Sequence, residues 1–160
     1  GSPTRIGIVL MTDFDIRQIK LGEDVTAEAI HEDLEFLDDW EERYRYIIDL
    51  GKQLPAMPED LRTEERFVRG CQSQVWLLTD YDEDQDRLYL AVESDAVIVR
   101  GLAAIILAAL NRKTPSEVAA YDMDDFFQQL DLLRHLSPTR GNGLLAMVGR
   151  IKQEAAALAA

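Results

Sequence analysis

The sequence predicts an α+β domain in which a three-stranded antiparallel sheet packs against several helices. The spacing of apolar residues is helical in both halves of the chain, but it alternates over residues 87–93, as in a strand with one face on a core. Residues 96–111 are apolar on nearly every side, which is typical of a helix at the centre of a domain. The length of 160 residues is sufficient for one hydrophobic core.

The three strands are predicted at residues 67–69, 74–79 and 87–93. The acidic segment 80–86 joins the last two strands as a polar hairpin turn. Residues 70–73 connect the first two strands. A small antiparallel sheet with one face on the helices follows from this order.

Helices are predicted at residues 26–37, 38–51, 96–111, 115–121 and 124–133, and from 138 onward. Asp38, with Glu41 three residues later, has the spacing of a capping box, and Gly51 is placed to end that helix in a left-handed cap. Thr114 and Glu117 form a second capping box around a proline, which is the sharpest helix signal in the chain.

We expect residues 26–160 to form a single domain and residues 1–25 to form an N-terminal extension that is partly a tag and poorly ordered. Residues 1–3, Gly-Ser-Pro, have the composition of a tag remnant. The apolar residues within 6–10 are compatible with a short strand, but the polar stretch after them gives it little support.

Composition excludes several classes of function. Thirty acidic residues against 17 basic ones give a net charge of −13, which repels a phosphate backbone and excludes nucleic acid as a partner. A protein partner with a basic surface is favoured instead. The longest apolar run, 96–110, is interrupted by Arg100 and too short to cross a bilayer, so no membrane association is expected. Without a recognisable secretion signal, we expect a reduced, cytoplasmic protein.

Cys71 is the one cysteine of the chain and the main candidate for chemistry. Most free cysteines are small buried hydrophobic residues, but Cys71 follows Gly70 in a predicted turn, where functional residues are often presented. Arg69 nearby would favour the nucleophilic thiolate. The polar residues that we expect to fix this loop are Gln72, Ser73 and Gln74.

Two alternatives for Cys71 stay open at this point. One is a thiol-dependent enzyme, a peroxidase or hydrolase, in which His135 acts as the base; His31 lies on a charged helix face and is a weaker candidate. The other is an interaction domain in which the cysteine is structural. A metal site is not expected, because one cysteine and two separated histidines lack zinc-site spacing and the 80–86 segment lacks the glycine and final glutamate of a calcium loop.

Residues 69–76, with the sequence Arg-Gly-Cys-Gln-Ser-Gln-Val-Trp, resemble the signature of the SufE family, the sulfur acceptors of cysteine desulfurases. Segments 39–55, 93–102 and 135–147 are similar to further blocks of that family. The resemblance extends, in order, over residues 30–158.

The resemblance implies a fold similar to SufE and to the IscU-type iron–sulfur scaffolds. It implies that Cys71 takes sulfur, as a persulfide, from a pyridoxal-phosphate cysteine desulfurase of the SufS or CsdA type and stimulates that enzyme. The sulfur would pass to an iron–sulfur scaffold or another acceptor, and the chain would need no cofactor of its own. A lone cysteine suits such a carrier, because no second thiol can capture the persulfide as a disulfide.

Four other residues match family positions that hold the cysteine loop or contact the partner, namely Asp95, Arg100, His135 and Arg140. Asp95 has an equally good structural interpretation as the cap of the 96–111 helix. The two arginines are alternatively members of structural ion pairs. The sequence leaves open whether Cys71 rests exposed or tucked under its loop.

Overall fold

The structure is a computed structural model, and it describes residues 14–159. The helices and strands in chain order are α1 Ala27–Glu35, α2 Trp40–Gly51, β1 Val75–Asp82, β2 Arg87–Ser94, α3 Val97–Leu110, α4 Pro115–Ala120, α5 Met123–Gln129 and α6 Pro138–Ala159. Single 3-10 turns lie at Ile16–Gln18, Glu59–Leu61 and Leu133–His135. The fold is therefore α+β, as predicted.

Helix α3 is the centre of the core. Twelve of its fourteen residues are buried, and it packs against α1, α2, α6 and β2. Helices α2 and α3 cross closely at Gly51 and Gly101, where a Cβ atom on Gly51 would lie 2.8 Å from the Gly101 nitrogen. Gly51 is the last residue of the helix, and the cap residue Lys52 has a right-handed backbone conformation (φ −70°). The predicted left-handed cap at Gly51 is therefore wrong. The glycine is needed for the close approach of the two helices.

The sheet within residues 14–159 has two strands rather than the three predicted. β1 and β2 are antiparallel and paired from Val75 with Ser94 to Asp82 with Arg87. The predicted first strand makes only one isolated bridge, from Phe67 to Trp76. The segment cannot extend as a strand, because a turn directly precedes it and the left-handed Gly70 (φ +92°) redirects the chain after it.

The helix limits follow their caps. The capping box of Thr114 and Glu117 is confirmed, with both reciprocal hydrogen bonds present. The N-cap of helix α2 lies one residue later than predicted, because Asp39 rather than Asp38 accepts the backbone N–H of Glu42 at 2.8 Å. Helix α5 is shorter than predicted, since Asp131 adopts a left-handed conformation (φ 53°) beyond its end.

Part of the expected N-terminal extension belongs to the core. Ile16, Ile19 and Leu21 are buried, and the side-chain amide of the buried Asn111 donates to the Leu21 carbonyl oxygen at 2.9 Å. The apolar residues of the described part of that segment are part of the core, and this part therefore packs on the domain. Residues 1–13, including the short strand considered for 6–10, lie outside the described residues.

Candidate functional site

The Cys71 loop connects the Phe67 bridge to β1. Gly70 has a φ of +92°, in the left-handed region that favours glycine. A Cβ atom on Gly70 would also lie 3.3 Å from the Cβ of Ala146 on α6, so this residue is tight against the helix. Backbone conformation and close packing together explain the glycine before Cys71.

Helix α6 forms the wall against which the cysteine rests. The Cys71 Sγ donates to the Gly143 carbonyl oxygen at 3.5 Å, and a Cβ atom on Gly143 would lie 3.6 Å from Sγ. A thiol is a weak donor, so this contact holds the side chain lightly. Cys71 also lines a pocket whose apolar wall includes Val99, Leu102 and Leu144.

The thiol is half-buried, and burial raises the pKa of Cys71 above its ordinary value. The cysteine is therefore mainly protonated at neutral pH. Arg69, expected to favour the thiolate, points elsewhere: it is exposed and pairs with Glu64 at 2.8 Å. In the described part of the chain, the one arginine that lines the Cys71 pocket is Arg140.

The polar loop residues divide into two groups. Gln72 and Ser73 line the pocket beside the thiol. The backbone N–H of Gln74 donates to Asp95 Oδ1 at 3.0 Å. Asp95 therefore contacts the loop, and the cap residue of α3, Ala96, has no side-chain cap bond. The carboxylate thus bonds to the loop, and the N-cap of α3 is the next residue, Ala96.

Arg100 lies outside the Cys71 pocket, in a junction that ties the 54–57 segment to α3. It donates to Glu93 and to the Leu54 carbonyl oxygen, the latter at 2.6 Å. Glu93 also accepts the backbone N–H of Met57 at 2.8 Å. This is a structural ion pair between the buried Glu93 and the partly buried Arg100.

His135 does not line the Cys71 pocket either. Its ring stacks on Trp40 with centroids 3.9 Å apart, and Nε2 lies 3.4 Å from a carboxylate oxygen of Asp131 without an aligned hydrogen bond. His31 pairs with Glu35 on α1 at 3.1 Å. The described residues thus place no imidazole beside the thiol.

Sequence reasoning did not assign a site role to the Gly143 carbonyl or to Arg150, which bonds the segment before the loop. A backbone carbonyl carries no residue-type signal, and an arginine on a helix is usually a surface residue. Among residues 14–159, no group of three or more histidine, cysteine or carboxylate side chains could hold a metal ion. No helix of the described chain is both long and apolar enough to span a bilayer.

Comparison with known proteins identifies relatives over most of the chain. The family model described as "SufE: Fe-S metabolism associated domain" matches residues 28–155. An uncharacterized SufE-like protein of Rhizobium meliloti is 52% identical over 132 residues, covering 81% of this chain and 94% of the relative. A second one, of Rhizobium etli, is 50% identical over 137 residues, covering 84% and 93%.

A solved structure shares the fold. The solution structure of a hypothetical protein from Thermus thermophilus superposes with a TM-score of 0.67 at 20% identity, covering 84% of this chain and 96% of that one. At this identity the likeness concerns the fold alone.

Proposed function

Because this chain belongs to the SufE family, whose domain is associated with iron–sulfur metabolism, we propose that Cys71 accepts sulfur from a pyridoxal-phosphate cysteine desulfurase of the SufS or CsdA type. The observation that carries the proposal is the placement of the chain's one thiol on a glycine-preceded loop, held lightly against α6 in a pocket. Such a thiol is available to a partner without being permanently exposed.

The transfer step is thiol exchange. The Cys71 thiolate attacks the terminal sulfur of the desulfurase persulfide, the sulfur–sulfur bond breaks, and the desulfurase cysteine leaves as a thiolate. Cys71 then carries the persulfide. No net oxidation occurs, and no cofactor on this chain is required. The persulfide cannot collapse to an intramolecular disulfide, because the chain has no second cysteine.

The resting geometry supports a role for the partner in activating the thiol. A half-buried thiol with a raised pKa is a poor nucleophile, since the thiolate is the reactive form. Docking on the desulfurase would withdraw the loop from α6, expose Sγ and allow its proton to leave. Clearing the desulfurase persulfide in this way would stimulate its turnover, and the sulfur would pass to an iron–sulfur scaffold or another acceptor.

A stand-alone thiol enzyme with His135 as base is not favoured. His135 stacks on Trp40 and is absent from the residues that line the Cys71 pocket. A peroxidase or hydrolase needs a base within hydrogen-bond reach of the nucleophile or of its water.

Intact-mass spectrometry after incubation with cysteine and a SufS-type desulfurase tests the proposal. We expect a mass gain of one sulfur atom that disappears with a reductant. The Cys71→Ser variant is the matched control and should show no gain. An unchanged mass of the wild-type chain, with a desulfurase shown to carry its own persulfide, would rule the proposal out.

A further inference from the structure

Arg150 on α6 holds the segment that leads into the Cys71 loop. Its Nη1 donates to the Phe67 carbonyl oxygen at 3.0 Å, and its Nη2 donates to the Glu65 carbonyl oxygen. Its Nε donates to Glu154 at 2.9 Å, and Glu154 accepts the hydroxyl of Thr79 on β1, also at 2.9 Å. The guanidinium thus joins α6 to the segment before the loop and, through Glu154, to β1.

The Phe67 carbonyl that Arg150 binds lies on the outer edge of the bridge to β1, and the Glu65 carbonyl belongs to the turn before it. On the inner edge, the Arg66 carbonyl oxygen accepts the backbone N–H of Leu77 at 2.9 Å, and the Val68 N–H donates to the Val75 carbonyl oxygen at 2.8 Å. Because Phe67 lies between these two residues and backbone groups alternate in direction along a bridged segment, its carbonyl faces away from β1. Arg150 therefore binds one outer carbonyl of the bridge and one carbonyl of the turn.

One face of α6 contacts Gly70, Cys71 and the segment before them. Gly143, Ala146 and Arg150 are spaced by three and four residues, which places them on the same side of the helix. Gly143 accepts from Cys71, and Ala146 packs beside Gly70. Arg150 makes the only charged contact of this face with the residues before the loop, among the hydrogen bonds of the described chain.

We infer that Arg150 is a positioning residue for Cys71: its fork of Nη1 and Nη2 fixes the N-terminal side of the loop on α6 and keeps the thiol docked against Gly143. The inference deepens the proposed function and rests on it, because it matters only if Cys71 is the acceptor. Its effect on the thiol is nevertheless measurable without a desulfurase.

The test is the rate at which iodoacetamide alkylates Cys71 in the native protein. A hydrogen bond from a charged donor contributes about 1.5 kcal/mol, which is about tenfold in an equilibrium constant. We therefore expect Arg150→Ala to raise the alkylation rate about tenfold. Arg150→Lys should give an intermediate rate, because one ammonium group cannot reproduce the two-pronged bond to both carbonyls.

Lys152→Ala is the matched control. Lys152 lies two residues away on α6 and also donates to backbone carbonyl oxygens. Its acceptors are Val118 and Ala119, both at 3.1 Å, and Tyr121. These bonds join α6 to the end of α4 and not to the Cys71 loop. Its loss should leave the alkylation rate near that of the wild type. An equal rise in both variants would mean general loosening of α6 and would overturn the inference.

The pH profile of alkylation supplies a second readout. Arg150→Ala should shift the midpoint to lower pH, as the thiol leaves its buried position, whereas a structural loss of stability alone would not move it. If Arg150→Ala does not fold, Arg150→Lys decides: a raised rate supports the inference and a wild-type rate refutes it. A missing persulfide gain in the desulfurase assay would instead count against the proposed function, whatever the alkylation rates.

Discussion

The Cys71 loop and the junction around Glu93 are held in opposite ways. At the junction, Glu93 and Arg100 form an ion pair whose side chains are only 9% and 19% exposed. At the loop, Cys71 makes one long sulfur hydrogen bond to Gly143, and Asp95 makes its contact at the exposed surface. The junction fixes the fold, whereas the loop is attached by contacts that a partner can break.

The contrast separates stability from reactivity. Removing one member of a buried ion pair leaves an unpaired charge in the interior, which is costly. Releasing a surface loop costs little free energy but changes how often its thiol is exposed. Variants in the two regions should therefore affect different measurements.

The largest expected effect is at the junction. Arg100→Leu leaves the buried Glu93 carboxylate without its charged partner, and the free energy of unfolding should fall by about 3 kcal/mol. Urea unfolding followed by circular dichroism measures the loss. Arg134→Leu is the control, because Arg134 pairs with Asp131 at the exposed surface. The urea midpoint of this variant should equal that of the wild type. A wild-type midpoint for Arg100→Leu would contradict this account of the junction.

A smaller effect is expected at the C-terminal side of the loop. Asp95→Ala removes the acceptor of the Gln74 N–H, and alkylation of Cys71 should become about fivefold faster with little change in the unfolding midpoint. Asp95→Asn keeps an acceptor oxygen and should restore most of the wild-type rate. The measurement is again the iodoacetamide rate in native buffer.

Asp122→Ala controls for the loss of an exposed aspartate that accepts a backbone N–H. Asp122 makes the same kind of bond, to Asp125 at 3.0 Å, but at the start of α5. Its substitution should leave the alkylation rate unchanged. If Asp95→Ala behaves like Asp122→Ala, Asp95 does not hold the loop.

The smallest effect is a pH dependence of stability. The pKa of Cys71 is raised in the folded state, so above about pH 8.5 the unfolded chain loses this proton first. The contribution of the buried thiol to the free energy of unfolding is thus complete at lower pH and declines as pH rises through the folded-state pKa. The difference between wild type and Cys71→Ala, from urea unfolding between neutral and alkaline pH, should show this decline. A difference independent of pH would mean that the thiol is not buried at rest.

Local signals predicted much of the fold. The capping box of Thr114 and Glu117 depends on residues three apart, so the sequence alone places the start of α4 correctly. Two errors have different origins. Gly51 is explained by Gly101 on the crossing helix, a contact that the neighbouring sequence does not reveal. The predicted strand at 67–69 is interrupted by the turn that precedes it and by the left-handed Gly70, and the apolar pattern of the segment does not show either backbone conformation.

The candidate site shows the same division. The position of Cys71 in a turn after Gly70 was predictable from residue types. The surroundings of the thiol were not, because they come from residues that are distant in sequence, the Gly143 carbonyl on α6 and the side chains of Val99 and Leu102 on α3. Arg69 is adjacent in sequence but turns away to Glu64, so neighbouring charge was a poor guide to the thiol's environment.

The most direct test of the central claim is a single-turnover transfer of sulfur. A SufS-type desulfurase is loaded with ³⁵S from labelled cysteine, freed of excess cysteine and mixed with this chain, and the label on each protein is followed by non-reducing electrophoresis. The account predicts that label leaves the desulfurase and appears on the wild-type chain, while Cys71→Ser receives none. Label that remains on the desulfurase in the presence of the wild-type chain would contradict it.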